Sequence, residues 1–296
     1  MILFLKKIRH LIEAFFVWIA FIFFHYILPF KTSVAFGGWI GRKVGPRLPL
    51  SKRARSNLNK CFPDLTTFEV ENIVRGMWDN YGRLAAEYAN ADAFWDGKTL
   101  RNIEVQGIEN LKYFQNDGKP GIIFTAHTGN WQMITLAAQS VGFDLTQMYR
   151  PANNPWVDNL MLYCQKLAVK NVITKGKGGP KDLLSLLRRG DHALLLVDQK
   201  MGEGISVPFL GRDAMTAKGV ARMYLNQDCP LLPARAERLH DSHFRVTFYP
   251  PIEFTPQGDQ QQDMYGLLLK INTMIGEWVM ERPSQWLWIH RRWIDS

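Results

Sequence analysis

Cysteine is scarce in this chain of 296 residues. Cys61, Cys164 and Cys229 are the only three, they lie far apart, and none has the spacing of a metal site. An odd and scattered set suits a reducing compartment better than a disulfide framework, so the three are read as structural. Gly-x-Ser-x-Gly, the turn that presents a serine nucleophile, is absent, and no cysteine adjoins a histidine. Repeats and linker-like stretches are also missing, which argues against a string of modules. No nucleic-acid-binding motif accompanies the basic charge, so a nucleic-acid partner is not expected.

What is present begins with that charge. Lys and Arg outnumber Asp and Glu by 36 to 27, a formal net charge of +9. Such a surface suits nucleic acid, an anionic membrane or a phosphorylated substrate. The N-terminus favours the membrane. Residues 14 to 28 are apolar or aromatic except for His25, and the window 11 to 30 reaches the length of a span only by including Glu13, His25 and Pro29. It can cross the bilayer or lie in one leaflet. A buried core helix and a cleaved signal peptide are the bland alternatives. Lys6, Lys7 and Arg9 resemble a signal's basic start, and Ser33-Val34-Ala35 is a weak cleavage pattern. The apolar run is too long for a signal and is followed by Pro29, Phe30 and Lys31. Beyond it, Arg42, Lys43, Arg47, Lys52, Arg53 and Arg55 mark the cytoplasmic side.

Residues 65 to 91 read as a long helix, with Trp78, Tyr81, Leu84, Ala85 and Tyr88 at helical spacing. Strands are expected at 103–107, 121–125, 145–149 and 193–197, and a strand pair at 230–238 and 244–249 about a polar turn, 239–243. Helices are expected near 131–140, 155–169, 181–189 and 263–281. Strands alternating with helices predict an α/β fold, a mixed central sheet layered by helices, with an N-terminal hydrophobic membrane helix. The expected organisation is a membrane anchor over 1–32 and a single catalytic domain over 33–296.

The chemistry concentrates where the strand 121–125 turns into a helix: Thr125-Ala126-His127-Thr128-Gly129-Asn130-Trp131-Gln132. Ligands of α/β sheets bind beyond the carboxyl ends of strands, and a histidine there is suited to take a proton near neutrality. A lone loop histidine is more often solvated or structural. The context decides for catalysis.

That context resembles the lysophospholipid acyltransferase superfamily, whose signature is a histidine followed five positions later by an acidic residue. His-Thr-Gly-Asn-Trp is particularly similar to the lipid A late acyltransferases, the lauroyl and myristoyl transferases. The resemblance covers nearly the whole chain. It includes Tyr149-Arg150-Pro151 with Asn154-Pro155, Val197-Asp198-Gln199, Val207-Pro208-Phe209 with Gly211, Ala214-Met215-Thr216-Ala217, and Pro283-Ser284-Gln285-Trp286 through His290-Arg291-Arg292-Trp293. The two-residue signature is weak alone, whereas the ordered set is specific.

The resemblance implies direct transfer from acyl-acyl carrier protein to a hydroxyl of a lipid A precursor, at the cytoplasmic face of the bacterial inner membrane, with no cofactor and no metal. His127 acts as general base, and an acidic partner holds its other ring nitrogen. That partner position carries Gln132, which can accept a hydrogen bond but supplies no charge. The isosteric exchange reads as an inactivating Glu→Gln substitution in an active enzyme. A divergent enzyme using another acid, a lipid-binding pseudoenzyme and an acyltransferase for another glycolipid or glycerolipid are the alternatives.

Arg150 can hold a phosphate or carrier-protein group through its planar fork, or form a structural salt bridge. Asp198 can orient Arg150 or a substrate hydroxyl, or cap a helix. Asn130, Trp131 and Asn154 are expected substrate-binding residues. The related proteins often carry an arginine in the helix after the Arg-Pro motif, where this chain has Cys164-Gln165-Lys166. Lys175, Lys177 and Lys181 surround glycines before a helix, a plausible phosphate cradle, although the loop lacks the Gly-Lys-Ser/Thr ending of a P-loop and equally suits a mobile surface loop. Trp286, Trp288 and Trp293 with Arg291 and Arg292 can sit at head-group level, or Trp286 and Trp288 can face the core.

Overall fold

The computed structural model describes residues 2–94, 102–169, 171–174, 178–200 and 202–293. The chain opens with the helices α1 (Ile2–Ile22), α2 (Phe30–Val44), α3 (Leu50–Cys61) and α4 (Thr67–Ala89), a π-helical turn, Phe23–Ile27, extending α1. Next come β1 (Ile103–Gln106), α5 (Ile108–Asn116), β2 (Gly121–Thr125), α6 (Gln132–Gln139), β3 (Thr146–Tyr149) and α7 (Pro155–Ala168). They are followed by β4 (Asn171–Thr174), α8 (Gly179–Arg188), β5 (His192–Leu196), β6 (Ile205–Phe209) and β7 (Arg212–Thr216). The last elements are α9 (Gly219–Gln227), β8 (Leu231–His240), β9 (His243–Phe248) and α10 (Gln260–Glu281).

Seven strands form one mixed sheet in the order β1-β9-β8-β2-β5-β3-β4, in which only the β8–β9 pair is antiparallel. The short β6–β7 hairpin stands apart. Side chains alternate between the two faces of the pleat, so each central strand serves two cores. Ile122 and Phe124 of β2 pack on one face with Ala193 and Leu195 of β5, under α4, α10 and the C-terminal tail. Ile123 and Leu194 point the other way, toward α5 and α6. This is the layered α/β arrangement expected from the sequence.

Local signals explain the framing elements. Thr66 and Glu69 close a capping box at the start of α4, each side chain satisfying the other's backbone N–H. Asp259 accepts from Gln261 and Gln262 to start α10. The glycines of α2 permit backbone contact with α4: a Cβ at Gly41 would lie 2.0 Å from the Trp78 carbonyl oxygen, and one at Gly82 2.1 Å from that of Gly37. The β8–β9 turn is tighter than expected, because both strands run on to His240 and His243 and Asp241 adopts a left-handed φ of 44°. Three strands were not expected. β4 has four residues at a sheet edge, and β6 and β7 are hairpin strands interrupted by Pro208 and by charge.

The C-terminal tail decides between two expectations, in favour of the core. Trp286, Trp288, Trp293 and Arg292 are fully buried, not at a head-group surface. Each indole N–H is used inside: Trp288 donates to the Pro283 carbonyl, Trp293 to that of Phe209, and Trp286 to a carboxylate described below. Arg292 binds the Met215 carbonyl, Thr216 and Asn272.

Candidate active site

The register of two parallel strands assembles the site. Thr125, the last residue of β2, pairs with Leu196, the last of β5. Two residues past each paired end stand His127 and Asp198, brought together although 71 positions apart. The Val197 N–H donates to the Thr125 carbonyl at 3.0 Å, continuing the ladder one step beyond the strands. β3, the next neighbour of β5, ends at the same edge and delivers Arg150.

Asp198 holds His127 at two points. Its Oδ1 lies 2.7 Å from Nδ1 of the ring, and its Oδ2 accepts the backbone N–H of His127 at 2.9 Å. Trp286 Nε1 donates to the same Oδ2 at 2.8 Å. Burial alone would push the Asp198 carboxyl up, but the ring of His127, the nearby His290 and the His127 N–H outweigh it and hold the group well below the usual carboxylate range. An ionised Asp198 must receive the Nδ1 proton of a neutral His127. The Nε2 lone pair is thereby turned outward.

The turn is held from three sides. Gly129 has a φ of +54°, and a Cβ there would lie 2.5 Å from the Ala236 carbonyl oxygen, so glycine is required. Asn80 and Tyr81 of α4 donate to the carbonyls of Gly129 and His127. The Gly129 N–H donates to the Gln285 carbonyl, tying the tail to the turn.

The acid expected at position 132 is therefore supplied from elsewhere. Gln132 is buried at the start of α6, its backbone N–H bound to Asn130 Oδ1, and its side-chain Nε2 has no hydrogen-bond partner. It is the first residue of a helix, and the ring of His127 is already taken on Nδ1 by the carboxylate that β5 delivers. Asn130 is also buried and donates to Glu87, itself paired with Arg238 through two bonds of 2.5 and 2.8 Å. Asn130 thus shapes the turn and does not face the site cavity. Asn154 caps α7 and donates to the His10 carbonyl and Glu13, fastening α1 to the body. Lys175 and Lys177 lie outside the described residues, and Lys181 is exposed in the first turn of α8.

A cavity of about 250 Å³ opens in front of His127, lined among others by Trp131, Arg150, Gln165 and Gln199. The Trp131 ring meets His127 edge-on, 5.0 Å between centroids. Tyr88, Trp131 and Met161 also line a second, almost wholly apolar cavity of about 490 Å³ between α1, α4 and α7. Val17, Phe21 and Phe24 give it a wall from the N-terminal helix. Gln165, not the exposed Lys166, occupies the cavity wall in α7.

Two site neighbours had no role from the sequence. Gln199 Nε2 lies 3.1 Å from His127 Nε2 and 3.4 Å from His290 Nε2. Burial pushes the His290 ring down to about 4, with His127, Arg292 and Arg150 acting in the same direction and Asp198 against them. Gln199 follows Asp198 directly in Val197-Asp198-Gln199, so its place beside the site is legible in the sequence. That of His290 is not, because only the folded tail carries it to His127. Among the described residues no group of three His, Cys, Asp or Glu side chains is placed to hold a metal ion. The Cys164 and Cys229 thiols are buried and pushed up to about 11 and about 12 by that burial, which suits structural residues.

The family model described as bacterial lipid A biosynthesis acyltransferase matches residues 1–295. Among curated proteins, the lipid A biosynthesis palmitoleoyltransferase of Escherichia coli (strain K12) is 26% identical over 272 residues, 90% of this chain and 86% of the relative. A lipid A biosynthesis acyltransferase of Haemophilus influenzae is 27% identical over 269 residues, 86% of this chain and 81% of the relative. The E. coli lipid A biosynthesis lauroyltransferase is 24% identical over 274 residues, 90% and 86% of the two chains.

Proposed function

The chain belongs to the bacterial lipid A biosynthesis acyltransferase family, and from that membership and the geometry around His127 we propose that it moves a fatty acyl chain from acyl-acyl carrier protein to a hydroxyl of a lipid A precursor. His127 Nε2 takes the hydroxyl proton as the oxygen attacks the thioester carbonyl. The new C–O bond forms, the C–S bond breaks, and the proton passes from the imidazolium to the departing sulfur. No acyl-enzyme is involved. Asp198 fixes the tautomer that leaves Nε2 unprotonated and stabilises the imidazolium as it forms.

The observation that carries this reading is a buried carboxylate on Nδ1 with Nε2 facing a cavity that adjoins an apolar one. The apolar cavity suits the acyl chain. Arg150, exposed at the rim and without an ion pair among the described residues, suits a phosphate of the acceptor or of the carrier's prosthetic arm. Gln132 motivates the alternative of a disabled enzyme. The position of Asp198 favours an active one, because the carboxylate that position 132 lacks already faces the ring.

Attachment to the cytoplasmic face of the inner membrane follows the same reasoning. Leu5–Ile27 is a helix of 23 residues, long and apolar enough to cross a membrane although its first turns carry Lys6, Lys7, Arg9 and Glu13, and it is mostly exposed, so its outer face suits lipid. Its inner face docks on α7 from His10 to Phe21, which favours a helix lying in one leaflet over one that crosses. Arg42, Lys43, Arg47 and Lys52 follow it, exposed toward anionic head groups.

The test is transfer in membrane extracts, with a lipid A precursor and a panel of acyl-acyl carrier proteins. Acylation by the chain as it stands, lost in His127→Ala, is the expected result. Transfer unaffected by His127→Ala would overturn the assignment of the base.

A further inference from the structure

The Gln199 amide stands between two imidazole Nε2 atoms, those of His127 and His290. A neutral His127 ring with its N–H on Asp198 can only accept at Nε2. His290 is half-buried, its ring pushed down to about 4 and so uncharged near neutrality, and its Nε2, 3.4 Å from the amide, accepts when the ring proton is on Nδ1. An amide NH2 has two hydrogens, and the position of Gln199 Nε2 gives one to each ring. The opposite amide orientation would set a carbonyl oxygen against two lone pairs. With both rings neutral and each ring proton on Nδ1, the amide donates to both, and the lone pair that must take the substrate's proton is then already occupied.

We propose that Gln199 is a positioning residue that caps the Nε2 lone pair of His127 until an acceptor hydroxyl displaces it. The inference rests on the reading of His127 as the base. Its consequence is selectivity between acceptors. A bound lipid hydroxyl, placed by the rest of the site, replaces the amide as donor to Nε2, while a stray water must compete with an amide held in place beside it. His290 keeps the amide aimed: as an uncharged acceptor it holds the second amide hydrogen, and a protonated His290 would repel it. The released amide keeps His290 as a partner throughout.

The groups facing His127 are Asp198 beyond β5, His290 from the tail, Arg150 beyond β3 and Tyr81 from α4, with buried Arg292 behind His290 and Asp198. Gln199→Leu leaves all of these in place and removes only the cap. A donor on the lone pair favours the neutral ring, so its loss raises the pH at which His127 titrates. One hydrogen bond corresponds to a shift of about one pH unit, or roughly tenfold in an equilibrium.

The experiment uses the full chain in detergent micelles with isotope-labelled histidine, and His127→Ala identifies the resonance. Its first readout is the titration of the His127 ring in the wild type, Gln199→Leu and Gln199→Glu. The second is hydrolysis of lauroyl-acyl carrier protein without acceptor. Gln199→Leu is expected to raise the His127 midpoint by about one pH unit and hydrolysis about tenfold. Gln199→Glu keeps the size of the side chain and is expected to raise the midpoint further. If Gln199→Leu does not move the midpoint while His127→Ala abolishes transfer, the cap is wrong and the base stands, whatever Gln199→Glu does by its charge. If His127→Ala leaves transfer intact, the base fails and the cap with it.

Discussion

Asp198→Asn is the most informative single exchange, because the structure states what each carboxylate oxygen does. Oδ1 faces the His127 Nδ1, while Oδ2 accepts two N–H groups, from the His127 backbone and from Trp286. Asparagine offers one oxygen and one NH2. With its oxygen on Nδ1, the NH2 abuts two buried donors and leaves both unpaired. With its oxygen on those two donors, the NH2 faces Nδ1 and forces the ring proton onto Nε2, where the base should be. The second orientation satisfies more groups, so the variant folds with the wrong tautomer and without the charge that supports the imidazolium. The equivalent exchange in the serine-protease triad lowers kcat about 10⁴-fold, and a loss of that order is expected here. Folding should suffer by about 1–3 kcal/mol, the cost of leaving one buried polar group unsatisfied. Transfer from acyl-acyl carrier protein and thermal unfolding measure the two effects separately. Activity within tenfold of the wild type would refute the dyad.

Gln132→Glu is expected to change transfer by less than about tenfold, because the residue is not on the His127 ring; restoration of activity by orders of magnitude would favour the disabled-enzyme reading. His290 binds protons less readily folded than unfolded, so its contribution to stability is full above about pH 6.5 and is lost as the pH falls toward about 4. Unfolding midpoints measured across that window should fall in the wild type and fall less in His290→Leu. Arg238→Ala strands the buried Glu87 carboxylate and is expected to cost about 3–5 kcal/mol, read by denaturant unfolding, with transfer reduced because Asn130 and the turn lean on the same group. Ala85→Phe fills part of the apolar cavity and should shift donor preference toward shorter acyl chains in the carrier-protein panel.

The sheet was legible where periodicity was strong. β2, β5, β8 and β9 and the long helices α4 and α10 fall within a few residues of their expected places, since their burial is continuous or regularly alternating. β4, β6 and β7 escaped because short strands with exposed or proline-bearing sequences carry no clear period. His127 stood out through its place at a strand end. Its partner did not, because spacing along the chain points to position 132 whereas strand register points to Asp198, and register exists only in the sheet. Asn130 and Asn154 show the converse: polar residues in site motifs that serve the scaffold, one bracing the turn and one tying α1 to α7. The tail's tryptophans suit a membrane belt or the core equally by composition, and the structure selects the core, where their indole N–H groups all find partners.

The central claim is that this chain, with Gln132 in place, acylates a lipid A precursor through His127 and Asp198. The direct measurement is mass spectrometry of the precursor after incubation with membranes holding the wild type, His127→Ala or Gln132→Glu, and acyl-acyl carrier protein. One added acyl chain with the wild type, none with His127→Ala and little change with Gln132→Glu is the result expected. A precursor left unmodified by the wild type but acylated by Gln132→Glu would contradict it.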